Sequence, residues 1–363
     1  MLLSQLMYSV ICEARKGSNI ASIIRSNDTL LKLLIEEKKG KEVNERFVAD
    51  FKTLADVLIQ EMVRHDLSLK YPGIEDDIHG EETNKFTNVN GETVVIKLGD
   101  QPEDTKQLLL KVLEGDDEVA GLLSHCLHTD TEPVTDSKID SIQCSLDIGD
   151  IGIWIDPIDS TAQFINGETA EYNSHGFVDE GLQCVTVLIG VFLKSTGLPI
   201  FGVAIQPFSN YTNQSWNEKI LWGLSYCDIN LSSLSKPIEL EQKLIVLSSS
   251  ESDSVRQKLA EKYQTQYVSG AGHKLICTAQ GLASAYLLSK KTMYKWDCCG
   301  PHAILLSLGG GVVSYSDLEK IAKGDSTEIQ QVTYNQSESN HFNGVIAYHN
   351  LYTLLEIVQH LQS

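Results

Sequence analysis

The stretch GIWIDPIDSTAQF, residues 152–164, changes character within a few positions. Its first half, with Ile153, Trp154 and Ile155, has the β-branched and aromatic make-up of a buried strand. Two carboxylates follow, Asp156 and Asp159, flanking Pro157 and Ile158, and then two hydroxyls, Ser160 and Thr161. Proline cannot donate to a strand ladder, so Pro157 forbids a regular strand interior and fixes a bend. At such a bend two carboxylates three residues apart, with an intervening carbonyl, can converge on one point, an all-oxygen set suited to a hard cation such as Mg²⁺. The same Asp-Pro and Asp-Ser steps also begin ordinary turns, and the stretch alone leaves both readings open.

Upstream, periodicity predicts helices at DTLLKLLIEEKKGK, residues 28–41, with Asp28 as cap, and at TLADVLIQEMVRHDL, residues 53–67. The period then shortens. TVVIKL (93–98), IGIWID (151–156), CVTVLIGVFL (184–193) and LPIFGVAIQPF (198–208) read as strands, the last two joined by a KSTG hairpin turn. From Lys243 strands and helices alternate: KLIVLSSS, ESDSVRQKLAEKY, GAGHKLICTAQG, ASAYLLS, a helix after Pro301 and a strand at NGVIAYH. That alternation predicts an α/β layer arrangement. NYTNQSWNEK (210–219) and NLSSLSKPIE (230–239) read as surface loops, the second as a domain boundary: 1–240 an α+β part with an antiparallel sheet, 241–363 an α/β part.

The 363 residues are 42% hydrophobic and 21% charged, enough for a proper buried core. No apolar run approaches a membrane span, the start has no basic leader, and the eight cysteines lack a disulfide framework. A soluble, cytoplasmic, reduced and monomeric protein is expected. A net charge of −20 argues against a nucleic-acid partner, whose affinity comes from Lys and Arg. It leaves room for a small anionic ligand, because bound cations invert a local field.

Other acids bear on the first two. Glu81-Glu82 follows a glycine in a segment with little helical patterning, although adjacent glutamates are also common on surfaces. Asp297 follows Trp296 ahead of a helix, where a dipole-stabilised aspartate is the plain alternative. Asp56, three residues after Thr53, matches a capping box. SGAGHK, with Gly270, Ala271 and Lys274, opens a helix with small residues and a lysine one turn in, which suits a phosphate, but it lacks the spacing of a Walker loop.

Taken together, DFKTLAD, GEE, WIDPIDST, SGAGHK and KWD with AILLSLGGG resemble the magnesium-dependent, lithium-inhibited phosphatase superfamily, whose pattern D-P-[ILV]-D-[GS]-[ST] is matched in full. The resemblance spans about residues 30 to 348. LLIEEKK, GLQCVT, LIGV and LWGLSY are similar to the inositol polyphosphate branch. It implies a layered αβαβα sandwich and hydrolysis of the 1-phosphate of inositol 1,4-bisphosphate and inositol 1,3,4-trisphosphate, inhibited by Li⁺. The alternative within the superfamily is a 3'(2'),5'-bisphosphate nucleotidase acting on 3'-phosphoadenosine 5'-phosphate.

The resemblance also implies roles. Glu81, Asp156 and the Ile158 carbonyl would hold one Mg²⁺; Asp156, Asp159 and Asp297 a second; Glu82 would help place a looser third. Asp56 would hydrogen-bond Thr161, the pair orienting or deprotonating the attacking water. Asp159, Ser160, Thr161, Gly270, Ala271 and Lys274 would face substrate, with Ser250 and Ser252 lining the same pocket. No covalent phospho-enzyme is expected, since no cysteine lies in a phosphatase-like nucleophile loop. Ser252 stands where animal enzymes of this branch typically carry a lysine, His273 replaces an aromatic, and Gly300-Pro301 alters a helix start; these departures bear on substrate rather than reaction. Cations clamp the attacking and leaving oxygens of such a displacement. Asp159→Asn is therefore expected to abolish Mg²⁺-dependent phosphate release, and an unchanged rate in a phosphate assay would remove the carboxylate assignment.

Overall fold

The computed structural model describes residues 1–26, 31, 34–37, 51–88, 90–236, 243–324, 329–336 and 340–363. Among these residues two large sheets stack with helices outside and between them. The first is six-stranded, in the order Ile229–Ser232, Ser215–Tyr226, Pro199–Thr212, Thr186–Leu193, Ile151–Asp159, Ile78–Gly80. It is antiparallel except for its last pair. The second is five-stranded and mixed, in the order Gln264–Tyr267, Leu244–Leu247, Ala285–Leu288, Val345–Tyr348, Gly311–Ser314.

Strand alternation builds the layers. Ile153, Ile155, Val187, Ile189 and Val203 face helices Leu3–Arg25 and Leu54–Lys70, in a core that includes Leu6, Val10, Leu58 and Met62. Their neighbours Trp154, Leu188 and Ala204 point the other way, against helices Ala271–Ala279 and Lys295–Ser307. Val246, Tyr286, Val312 and Ala347 of the second sheet close that middle core. Ile245, Leu287, Val313 and Ile346 form a third core with Leu259, Leu354 and Ile357 of the outermost helices. The order is helix, sheet, helix, sheet, helix: the expected αβαβα sandwich.

Helix Lys295–Ser307 lies unusually close to the first sheet. Trp154, Gly190, Gly202 and Gly223 occupy one register row across four strands. A Cβ on Gly202 would stand 2.0 Å from the carbonyl oxygen of Gly300, one on Gly190 2.4 Å from the Gly300 nitrogen, and one on Gly223 2.6 Å from Ile304 Cα. The three glycines make a shallow trough that lets backbone meet backbone.

The structure departs from the sequence expectations at five places; one is the loop expected over 230–239, whose first residues Asn230–Ser232 are a strand paired with Gly223–Ser225. Ile35–Glu37 is a strand paired with Phe51–Thr53, not helix; most of the helix expected over 28–41 falls outside the described residues. The supposed loop 210–219 is a long hairpin with Asn213 and Gln214 both at positive φ in a two-residue turn. Pro301 sits inside helix Lys295–Ser307 rather than before its start, because the helix begins at Lys295. Only Thr93–Val95 of residues 93–98 is a strand. The expected boundary at 240/241 lies outside the described residues; strands of the first sheet precede it and those of the second follow it.

Overpacking a tight contact typically costs 1–3 kcal/mol, and here the obstruction is backbone. Gly202→Ala should lower stability by about 2 kcal/mol or more in urea denaturation, and it should also impair the site described below by lifting the helix.

Candidate active site

The strand Ile151–Asp159 is buried throughout. Asp156 pairs with Leu188 and Asp159 with Thr186, so one strand advances three residues while its partner advances two. Pro157 and Ile158 lie in this bulge, which turns both aspartates toward the end of the sheet. Ser160 then adopts a left-handed conformation, φ 71° and ψ 43°, and leads into the short helix Thr161–Asn166. The sharp turn holds Ser160 and Thr161 beside the carboxylates.

Asp297 comes from the first turn of helix Lys295–Ser307, where its Oδ2 accepts the Tyr294 N–H at 2.6 Å. Ligand oxygens of Asp156, Asp159 and Asp297 all lie within 4.8 Å of one another, and all three residues are buried. Burial and then the charges of Glu81, Asp159, Asp297 and Asp56 push the Asp156 carboxyl well above its ordinary range. Asp156 Oδ1 and Ser160 Oγ are buried without a hydrogen-bond partner among the described residues.

Asp159 has a second attachment. Its Oδ1 accepts the Ala271 N–H at 3.0 Å, and its Oδ2 accepts the His273 N–H and the Thr186 hydroxyl, both at 3.2 Å. A carboxylate thus caps helix Ala271–Ala279 from another strand. Glycines make room: a Cβ on Gly270, whose φ is +82°, would meet Ser160 Oγ at 2.4 Å, and one on Gly272 would lie 3.1 Å from Asp159 Oδ2. Burial raises the Asp159 pKa, against the lowering effects of Lys274 and the two N–H bonds. Buried Lys274 donates to the Gly270 carbonyl at 2.7 Å.

These groups line a cavity of about 480 Å³. Its walls carry six carboxylates, Glu81, Asp156, Asp159, Asp179, Glu180 and Asp297, against one lysine, Lys274, among the described residues. Ile158, Ser160, Thr161, Gly270 and Ala271 also line it. Four expected residues sit elsewhere. Ser249 lines the cavity where Ser250 and Ser252 were expected: Ser250 shares a hydroxyl contact with Ser248, and Ser252 caps helix Asp253–Ala260 through the Val255 N–H. Glu82 is buried behind Glu81, with its backbone held by Gln60. Asp56 forms the expected capping box with Thr53, its Oδ2 accepting from the Thr53 backbone at 2.6 Å and hydroxyl at 2.7 Å.

The expected hydrogen bond between Asp56 and Thr161 is not formed. The Thr161 hydroxyl donates to the Ile158 carbonyl at 3.0 Å instead. Asp179, Glu180, Tyr267, Thr292, Tyr294 and Trp296 join the walls without having been singled out as site residues. Tyr294 and Trp296 stack at 4.5 Å and 13°, and the aromatic beside Asp297 was the one signal in sequence that pointed to them. No cysteine lines the cavity among the described residues, and burial pushes the Cys184, Cys277 and Cys298 thiols up to about 12. A thiolate nucleophile has no place here.

Three clustered buried carboxylates, an unpartnered oxygen on one of them and an all-oxygen surround fit a hard divalent cation. Without one, the native state holds a proton that the unfolded chain releases in the ordinary carboxylate range. Stability from Asp156 is therefore lost as pH rises from that range through its raised native pKa. Asp156→Asn should be more stable than the parent in a chelator, by a margin that grows as pH rises above the ordinary carboxylate range in urea denaturation.

Residues 116–345 match the inositol monophosphatase family. The inositol polyphosphate 1-phosphatase of Mus musculus is 39% identical over 351 residues, 92% of this chain and 88% of that protein. The 3'(2'),5'-bisphosphate nucleotidase 1 of Rattus norvegicus is 25% identical over 295 residues, 80% of this chain and 79% of its own. Among solved structures, an IMPase/NADP phosphatase complexed with Mg²⁺ and phosphate superposes with a TM-score of 0.54 at 13% identity, covering 98% of this chain and 95% of that one. That likeness bears on the fold alone.

Proposed function

From the premise that this chain belongs to the inositol monophosphatase family and is a phosphatase, we propose that it removes the 1-phosphate of inositol 1,4-bisphosphate and inositol 1,3,4-trisphosphate, with Mg²⁺ as cofactor and Li⁺ as inhibitor. The substrate class rests on the 39% identity to an inositol polyphosphate 1-phosphatase. The observation that carries the cofactor is the buried Asp156 oxygen, without a hydrogen-bond partner among the described residues, amid Asp159 and Asp297.

Asp156, Asp159 and Asp297 would hold one Mg²⁺, and Glu81, Asp156 and the Ile158 carbonyl another; Glu82, buried behind Glu81, is left out of the set. The cations supply charge neutralisation for the phosphate dianion and the two oxygens of an in-line displacement. The chain's own groups do the rest. Lys274 brings the positive charge of the wall toward the phosphate, and the Ser160 and Thr161 amides face the same anion. Thr161, on the cavity wall, would orient the attacking water, and Asp56 would take its proton once its carboxylate turns from the Thr53 cap toward Thr161. Water adds to phosphorus as the ester oxygen leaves with a proton, giving the alcohol and inorganic phosphate. Eight free cysteines suit a reducing compartment, in line with a cytoplasmic enzyme. No helix among the described residues is long and apolar enough to cross a membrane.

The test is phosphate release from inositol 1,4-bisphosphate, inositol 1,3,4-trisphosphate and 3'-phosphoadenosine 5'-phosphate, with Mg²⁺ or chelator and with or without Li⁺. Mg²⁺-dependent, Li⁺-blocked release from the two inositol substrates is expected. Faster release from the nucleotide would replace the substrate assignment, and turnover in chelator would remove the cofactor.

A further inference from the structure

Helix Leu54–Lys70 carries Asp56 and, one turn on, Gln60 on the same face. Gln60 is buried, and its side-chain amide grips one residue of the neighbouring chain from both sides. Its Oε1 accepts the Glu82 N–H at 2.9 Å, and its Nε2 donates to the Glu82 carbonyl at 2.5 Å. The backbone here has just left the sheet: Gly80 pairs with Ile155, and the Glu81 N–H still reaches the Ile155 carbonyl at 3.2 Å. Beyond that bond the ladder ends, and the primary amide takes over as a substitute partner for the Glu82 peptide groups, which pair with no strand among the described residues.

The contact is built in from both sides. A Cβ on Gly80 would stand 2.0 Å from Gln60 Oε1, so the glycine leaves the space that the amide occupies. Glu81 lies between the two fixed points, the Ile155 carbonyl before it and the Gln60 amide after it. Its carboxylate reaches the cavity that Asp156 and Asp297 line.

We infer that Gln60 is a positioning residue that presents Glu81 to the cation site, so that the affinity for Mg²⁺ depends on a side chain that touches neither cation nor substrate. This rests on the cation reading given above. Supports of this kind behind a ligand are typically worth 10–100-fold in metal affinity.

The experiment is thermal unfolding of the whole protein over a titration of Mg²⁺ alone, with no substrate present. In the parent, Mg²⁺ should raise the melting temperature. Gln60→Met, which fills the volume without the amide, should move the midpoint of that rise to about 10–100-fold higher Mg²⁺. Gln60→Asn, which keeps the amide but is one methylene too short to hold both groups, tests the same point with less disturbance should the methionine variant not fold. A Glu81→Gln background separates positioning from general loosening, because there the Gln60 substitution should no longer move the midpoint. A lower melting temperature with an unchanged Mg²⁺ midpoint would overturn the inference and leave the cation reading standing, as would a midpoint shift that persists undiminished without Glu81. A parent protein that gains no stability from Mg²⁺ would overturn both.

Discussion

The site depends on how close a helix can come to a sheet. Helix Lys295–Ser307 delivers Asp297, and it reaches the carboxylates of the neighbouring strand because three adjacent strands present glycine at one register row. A helix usually packs on a sheet through side chains that hold the backbones well apart; here peptide groups meet directly. The distance between Asp297 and the pair Asp156 and Asp159 is therefore fixed by backbone sterics, which are far stiffer than side-chain packing. Pro301 fits the same arrangement. It withholds an N–H from the Asp297 carbonyl in the turn below, so the end of the helix that bears the ligand is freed from one internal bond.

That stiffness works against electrostatics. Three buried carboxylates within 4.8 Å repel one another, and the fold gives them no room to separate. The bulge at Pro157, the left-handed Ser160 and the glycine trough all hold them in place, so the surrounding layers stabilise a site that is unfavourable when empty of positive charge. The cores on both faces of the first sheet supply that stability. They are continuous and apolar, and the polar cluster lies at the end of the strand where the alternating pattern stops.

How much of this was legible in sequence follows from which forces are local. The carboxylate motif, the capping box at Thr53 and Asp56, and the strand-helix alternation after Lys243 are short-range patterns, and they pointed to an α/β layer arrangement and to the separate acids, whereas the αβαβα order and the grouping of Asp156, Asp159 and Asp297 came from the family resemblance. What was missed depends on tertiary contact. The strand at Ile35–Glu37 sits in a sequence with helical periodicity and is set by pairing with Phe51–Thr53. The hairpin over 210–219 was hidden because polar residues on an exposed sheet end look like a loop. Ser252 was placed in the pocket by resemblance, whereas its hydroxyl is committed to capping a helix. The direction of the Thr161 hydroxyl, the clamp at Glu82 and the Tyr294–Trp296 stack are matters of ångströms that no spacing rule encodes.

Asp159 acts as a hinge pin between the two sheets. One carboxylate grows from a strand of the first sheet and is bolted to the N-terminus of the helix that leans on the second. Prising the layers apart to admit a ligand would shear those bonds and unseat the floor of the cavity. Ligand exchange that leaves those bonds intact has an acidic margin to cross, because Asp179 and Glu180 are the exposed carboxylates of the cavity wall.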